Sequence, residues 1–420
     1  HALADAPSVF APEIKQSSFQ IDQTTFFIHF HGQFLGGESV EAEAKKVIQK
    51  ICAAQKAVFG AFPFEEYHFI YRLLPYQMRH AVEHSNSASF ALPSTITSAP
   101  KRILGGLGGI TSHEFWHVWN VKRIRPAAMV PYDYSQAQYT RLHWFTEGVT
   151  DYYANLMLVR AGLRDQDFLF NQLSNTITRL ENSFAATVIS PSSSSFNSWL
   201  GDSPYRHPDH QISYYTLGTR VGLLIDLKLR GMSDKSLDDV FRKMYQQWQT
   251  DGRGLAENEV QKVLEDISGE SWQDFFDRYV HGTESADYDA LLKAFGLEMK
   301  VEEKEMDGLQ KLGVLRTQEH SRGLIVERIH PGGDAFAGGL GKDDLIMEVD
   351  GQGVANLDLT EYFAKLKKGD RIRIKVISEF DVREVDIRYE GKYVSRTFSI
   401  QPRKKIKDKQ RAELDSWLKG

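Results

Sequence analysis

The chain has 420 residues, 41 % hydrophobic and 25 % charged, with a net charge of -5. That length exceeds one ordinary hydrophobic core and implies two or three domains, and the mild acidity gives no general attraction to nucleic acid. No run of eighteen apolar residues exists to span a bilayer, and the single cysteine, Cys52, excludes a disulfide framework and a thiolate metal cluster.

Residue 1 is His and no signal-peptide pattern follows, so we expect the chain to begin inside a longer protein. Strand-like runs at Ser18-Phe-Gln-Ile and Thr25-Phe-Phe-Ile-His-Phe, followed by turn residues, read as the end of a preceding β-domain over residues 1–36. Residues 38–59 have helical apolar spacing, and a strand is predicted from Tyr67 to Leu74. Residues 100–300 read mostly as helix, clearest at 108–119, 144–161, 165–183, 214–230, 236–249 and 271–280. The Ser- and Pro-rich stretch 184–211 interrupts them and is expected to be a long loop over a cleft. Beyond residue 305, short β runs (Gly323–Ile329, Asp344–Val349, Arg371–Val376) separated by Gly-rich turns, with one short helix at Leu359–Leu366, predict a small β-rich domain to residue 390. Residues 391–420 read as a tail with a basic run, Arg403-Lys-Lys-Ile-Lys407, taken as solvated surface, and a short helix ending at Leu418.

Chemistry concentrates in TSHEFWHVWNVKRIRP, residues 111–126. Residues four apart on a helix share a face, so His113 and His117 can aim two imidazoles at one ion. Glu114, about 100° further round the helix, can take a proton from a water there without itself ligating. With 14 histidines the pattern arises by chance in roughly 3 % of such chains, so a third ligand is needed. Glu147 in WFTEGVTDYY can supply it on a second helix. Asp151, four residues on, can accept the second ring N–H of one histidine. Two His and one carboxylate, with a fourth position open, suit a single Zn2+ per chain. A tetrahedral transition state also needs a proton donor, for which Tyr214 and Tyr215 are both candidates. Glu83 can anchor a substrate's α-amine by a charge-assisted hydrogen bond. The cations of Asn120–Pro126 can meet a substrate carboxylate or pair internally at a helix exit; the Arg-Pro ending favours the exit.

SHEFWHVWNVKRIRP followed by WFTEGVTDYY resembles the glycyl aminopeptidase family of zinc metallopeptidases, whose members carry a PDZ domain near the C-terminus and are distantly related to aminopeptidase N. The resemblance, over roughly residues 1–390, implies a multidomain α+β protein. A mainly helical, thermolysin-like catalytic domain would span 37–304 and a PDZ domain 305–390, with the end of an N-terminal β-domain before them. It implies His113, His117 and Glu147 as zinc ligands and Glu114 as general base. Tyr215-Thr-Leu-Gly218 is similar to the family's Tyr-x-x-Gly motif, which prefers Tyr215 over Tyr214; Leu217 departs from the usual Lys. His80-Ala-Val-Glu-His84 resembles a Gly-Gly-Leu-Glu-His-like substrate-lining segment: Glu83 and His84 match, while both glycines are replaced. Leu312, Gly313 and Val314 resemble a PDZ carboxylate-binding loop, which implies capture of a peptide C-terminus by strand addition.

The function expected is a zinc aminopeptidase releasing small N-terminal residues from peptides, its Gly or Ala preference implied by the resemblance alone. Two rivals stay open: a zinc endopeptidase, and a peptide-binding adaptor in which the PDZ domain works on an inert peptidase scaffold. The compartment expected is the bacterial cytoplasm, with the periplasm left open because the true N-terminus lies upstream.

Overall fold

Residues 5, 7, 11, 13–32, 38–94, 100–200, 211–379 and 381–420 are described by the computed structural model. Burial alternates along TTFFIHFH in β2 (Thr24–His31), with Phe26, Ile28 and Phe30 turned inward. It pairs antiparallel with β1 (Lys15–Ile21) and parallel with β3 (Glu66–Leu74). A parallel pair requires a crossover, and α1 (Glu38–Phe59) supplies it, burying Val40, Ala44, Ile48, Ile51 and Cys52. The hairpin β4 (His80–Glu83) and β5 (Ser87–Pro93) completes a five-stranded sheet of order β1-β2-β3-β5-β4, so β4 forms an edge.

This topology corrects the expected boundary at residue 36. β1 and β2 belong to the same sheet as β3, and Phe19, Phe26, Ile28 and Phe30 lie in the same core as the following helices. Local periodicity identified the strands but carried no information about their partner across a 22-residue helix.

The helices follow in order: α2 (Pro100–Trp116), α3 (Thr150–Arg160), α4 (Gln166–Glu181), α5 (Pro191–Phe196), α6 (Tyr214–Met232), α7 (Leu237–Asp251), α8 (Glu259–Ser268), α9 (Gln273–Tyr279) and α10 (Tyr288–Leu292). α8 lies outside the six runs that read most clearly as helix. Much of the expected 184–211 loop is also ordered. Ser190 caps α5, Pro191 occupies its first turn, and Ser195 is fully buried, its Oγ accepting the Trp144 N–H at 2.8 Å. Serines in this segment thus pack against the functional helices; the rest of the expected loop, 201–210, lies outside the described residues.

β6 (Leu297–Glu303) leads into the PDZ-like unit: β7 (Val314–His320), β8 (Gly323–Ile329), α11 (Asp334–Ala337), β9 (Leu345–Val349), β10 (Gln352–Gly353), α12 (Leu359–Ala364), β11 (Arg371–Ser378) and β12 (Asp381–Arg388). Its sheet runs β12-β11-β9-β8-β7 with β10 on β9, over a separate core including Val326, Ile346, Phe363 and Ile374. The chain then returns. β13 (Arg396–Pro402) pairs antiparallel with β6, and α13 (Asp408–Lys419) inserts Leu414, Trp417 and Leu418 into the helical core. Residues 391–420 are therefore not a tail, and the PDZ-like unit is an excursion between two paired strands. Arg403, expected as solvated surface, forms a two-pronged contact with Asp289 at 2.8 and 2.9 Å.

Candidate active site

α2 ends just as its chemistry begins. His113 lies in its last turn, while His117 begins a run of turns closed by Val121 N–H and Lys122 N–H bonds to the His117 carbonyl. His113 Nδ1 donates to Asp151 Oδ1 at 2.8 Å, and His117 Nδ1 donates to the Asn120 carbonyl at 2.6 Å. Both imidazoles therefore turn Nε2 lone pairs toward one point when neutral. The two Nε2 atoms are 3.0 Å apart, and each is 3.3 Å from Glu147 Oε2. Ligands on a tetrahedral zinc with bonds of about 2.0–2.2 Å lie about 3.3–3.6 Å apart, so the three atoms fit one small cation. Glu147 Oε2 supports this: it is buried with no hydrogen-bond partner of its own, a cost that a metal bond would remove.

The site's electrostatics follow from burial and crowding. Burial opposes ionisation of Glu147, but the two imidazoles outweigh it and hold the carboxyl well below its usual range. Burial likewise opposes charging of His117, yet Glu147 raises it to about 9; His113 is raised by Asp151 and Glu147 in the same way. Without a metal the two imidazoles thus hold protons against Glu147 and Asp151, and a metal binding there must displace them. Glu114, 7 % exposed, is pushed up by burial to about 7, against the pull of His117 and His113. A carboxylate of that basicity is matched to taking a proton near neutral pH.

Glu147 sits in a single π-helical turn, Trp144–Val149, that runs into α3. Such turns are frequent at functional sites. Backbone contact explains the placement here. A Cβ on Gly148 would lie 2.4 Å from Gly218 Cα, and one on Gly218 would lie 2.0 Å from the Trp144 carbonyl oxygen. Only glycine on both sides lets α6 touch the π turn. That approach seats Tyr215, one turn earlier on α6, against the site: its ring lies 5.9 Å from His113 and its hydroxyl bonds Glu147. Burial and then Glu147 raise the Tyr215 hydroxyl well above an ordinary phenol, keeping it a donor. Tyr214 turns instead to His143, ring centroids 5.3 Å apart.

Two positioning residues escaped the sequence reading. Asn120 is fully buried and its Nδ2 donates to the Phe145 carbonyl and to Thr150 Oγ1, both at 3.1 Å, tying the end of α2 to the π turn. Asp5 lies beside His84 at 3.5 Å and Lys122 at 3.1 Å, and accepts the Ser85 N–H at 3.1 Å. Neither carries a local signal, because the groups that each bonds lie on distant segments. Lys122 is thus paired, and Arg123 donates at 2.8 Å to the Ser85 and Val118 carbonyls, which makes this segment the helix exit that was favoured.

Glu83, at the end of edge strand β4, lies with Glu114 and His117 in a second cluster whose donor atoms all fall within 4.8 Å of one another. In the PDZ-like unit, Leu312, Gly313 and Val314 form the turn into edge strand β7, with Gly313 at φ 91°. The Gly313 N–H donates to the Gln310 carbonyl at 2.9 Å, so that amide is already committed in this conformation.

The family model for M61 glycyl aminopeptidase matches residues 107–221, and the PDZ domain model matches residues 295–377. No curated protein sequence matches the chain. Among solved structures, the fold is similar to an aminopeptidase N family protein from Idiomarina loihiensis at 21 % identity and TM-score 0.77, covering 97 % of this chain and 70 % of that one. Weaker likenesses, which carry no argument here, include yeast LTA4 hydrolase in complex with bestatin (13 % identity, TM-score 0.45, 67 % of this chain and 41 % of that one). Another is a two-domain M1 zinc metallopeptidase bound to L-arginine (16 %, 0.40, 65 % and 53 %). No described helix is long and apolar enough to cross a membrane. Residues 107–221 thus match the M61 glycyl aminopeptidase model and residues 295–377 the PDZ domain model, which supports a peptidase and a PDZ domain in one chain.

Proposed function

We propose that the chain is a zinc-dependent aminopeptidase that releases small N-terminal residues from peptides, with a Gly or Ala preference. The observation that carries this is the convergence of His113 Nε2, His117 Nε2 and Glu147 Oε2, with the Glu83 carboxylate closing one side of the same site. When bound, one Zn2+ would act as a Lewis acid and bring a water toward a neutral pKa. Glu114 takes a proton from the attacking water and passes one to the leaving amine. Tyr215 donates its hydroxyl hydrogen bond to the oxyanion as charge develops there. Glu83 holds the substrate's α-ammonium and so restricts cleavage to the first peptide bond. Asp151 and the Asn120 carbonyl fix the tautomer and tilt of the two imidazoles.

We assign the peptidase unit to residues 13–303 together with 396–420, and the PDZ unit to 305–390. The PDZ unit's role is peptide binding along the β7 edge, with Leu312, Gly313 and Val314 facing a C-terminal carboxylate. The amide already bonded to Gln310 would have to turn for Gly313 to take part.

The test pairs metal analysis with matched peptides bearing free and acetylated N-termini. The expected result is one zinc per chain, hydrolysis stopped by a chelator, and no cleavage of the acetylated series. Cleavage of both series at equal rates would replace this reading with an endopeptidase, and absence of hydrolysis with an intact PDZ–peptide interaction would favour the adaptor.

A further inference from the structure

Beside the metal cluster, three rings run in sequence away from His113. Tyr215 lies 5.9 Å from His113, Tyr214 lies 5.0 Å from Tyr215, and His143 lies 5.3 Å from Tyr214. Tyr214 and His143 then form the inner wall of a cavity of about 460 Å³, closed further out by Met129, Tyr132, Tyr134 and Trp199. That volume falls in the range of pockets that hold small organic groups, about 300–1,000 Å³.

The walls are held in place although they are partly exposed. Tyr132 stacks on Tyr134 with centroids 5.9 Å apart, and the Arg125 guanidinium lies 4.9 Å from the Tyr132 ring. Trp199, 57 % exposed, donates its indole N–H to the Gln138 carbonyl at 2.9 Å. No Lys or Arg lines the cavity among the described residues. Its one carboxylate, Asp133, is already engaged by the Ser135 N–H at 2.9 Å, the Ser135 hydroxyl at 2.6 Å and Gln136 Nε2 at 2.7 Å. The lining is thus five rings and a thioether beside the uncharged Gln136, Gln138 and Ser198, with its single carboxylate committed, and it suits a flat, uncharged side chain.

We propose that this cavity is a substrate subsite that takes an aromatic or large apolar side chain on the residue that follows the scissile bond. The inference rests on the peptidase reading for the position of that bond, and it predicts a selectivity that a preference for small first residues alone does not contain. With a small first residue, the side chain that fills the cavity is that of the second residue, and two matched series test this: Ala-Phe-Ala against Ala-Ala-Ala, with Phe-Ala-Ala against Ala-Ala-Ala as the control for the first position.

Binding is measured by calorimetry on the full-length Glu114→Gln protein, which retains the pocket whether or not the chain hydrolyses peptides, and turnover is measured in parallel on the unsubstituted protein. Ala-Phe-Ala is expected to bind about tenfold or more tightly than Ala-Ala-Ala, in line with the selectivity of apolar pockets. Adding Trp199→Ala, or separately Tyr134→Ala, should bring that ratio toward one; both side chains are exposed enough that the fold does not depend on them. Equal binding of Ala-Phe-Ala and Ala-Ala-Ala would overturn the subsite, as would a gain confined to Phe-Ala-Ala or a ratio unmoved by either rim variant. A preserved ratio with no turnover would sink the peptidase reading and leave the pocket standing.

Discussion

The junction of α2, the π turn and α6 contrasts with the rim formed by β4, residues 127–143 and residues 184–200. At the junction every group is specified from several directions: Asn120 bonds two partners, Gly148 meets Gly218, and the Tyr152 hydroxyl donates to Asp226 at 2.7 Å while accepting from Trp417 Nε1 at 2.7 Å. At the rim, Tyr134 is 65 % exposed, Trp199 57 % and Val188 55 %, and the surroundings tolerate change. The difference separates two tasks. Bond-breaking chemistry needs ligand atoms held to fractions of an ångström, which only packed helices provide, whereas selection among peptides is set by side chains on an adaptable border.

The sharpest way to break this contrast is at Glu114. Glu114→Gln should lower kcat by about 10²–10⁴-fold while the zinc content stays at one per chain; unchanged hydrolysis would remove the chemistry from the junction altogether. Next comes Trp417→Ala, which empties a fully buried site against the helix that follows Glu147. It should cost about 3–5 kcal/mol in urea unfolding. A loss below 1 kcal/mol would show that the returning C-terminal helix does not secure the junction. Asn120→Ala should weaken zinc binding by about 10–100-fold in chelator competition and cost about 1–3 kcal/mol in urea unfolding, because the Phe145 carbonyl and the Thr150 hydroxyl lose a buried donor. If affinity is unchanged, the end of α2 needs no tie to the π turn. At the border, Glu83→Gln should raise KM for free-amine peptides by about tenfold or more, the value of a lost hydrogen bond to a charged group, and equal effects on acetylated peptides would deny it the amine-holding role. Smallest of all, Val188→Ala should shift stability by no more than about 0.5 kcal/mol, and a larger change would mean that the rim is as tightly specified as the junction.

Legibility followed the same division. His113 and His117 were readable because a four-residue step on a helix is a local rule, and Glu147 with Asp151 because the same rule repeats thirty-odd positions on. Asn120 was in plain view yet unreadable, since its worth comes from carbonyls on a different segment. Asp5 could not have been found by any spacing argument, because it reaches Lys122 and Ser85 through a long-range fold. The serine-rich stretch misled for a related reason. Composition suggested a loop, but capping by Ser190, the first-turn Pro191 and the burial of Ser195 against Trp144 make a helix there.

By itself the amino-acid order settled the kinds of chemistry on offer and the character of each element: amphipathic helices, an alternating strand, a metal-capable face and a Gly-punctuated β-rich unit. Only the tertiary structure decided that β1 and β2 join the peptidase sheet, that the chain returns from the PDZ-like unit to seat Trp417, and that two glycines bring Tyr215 to Glu147. The physical reason is range. Periodicity reports which face of an element is apolar, but which two apolar faces meet depends on burial shared among segments hundreds of residues apart.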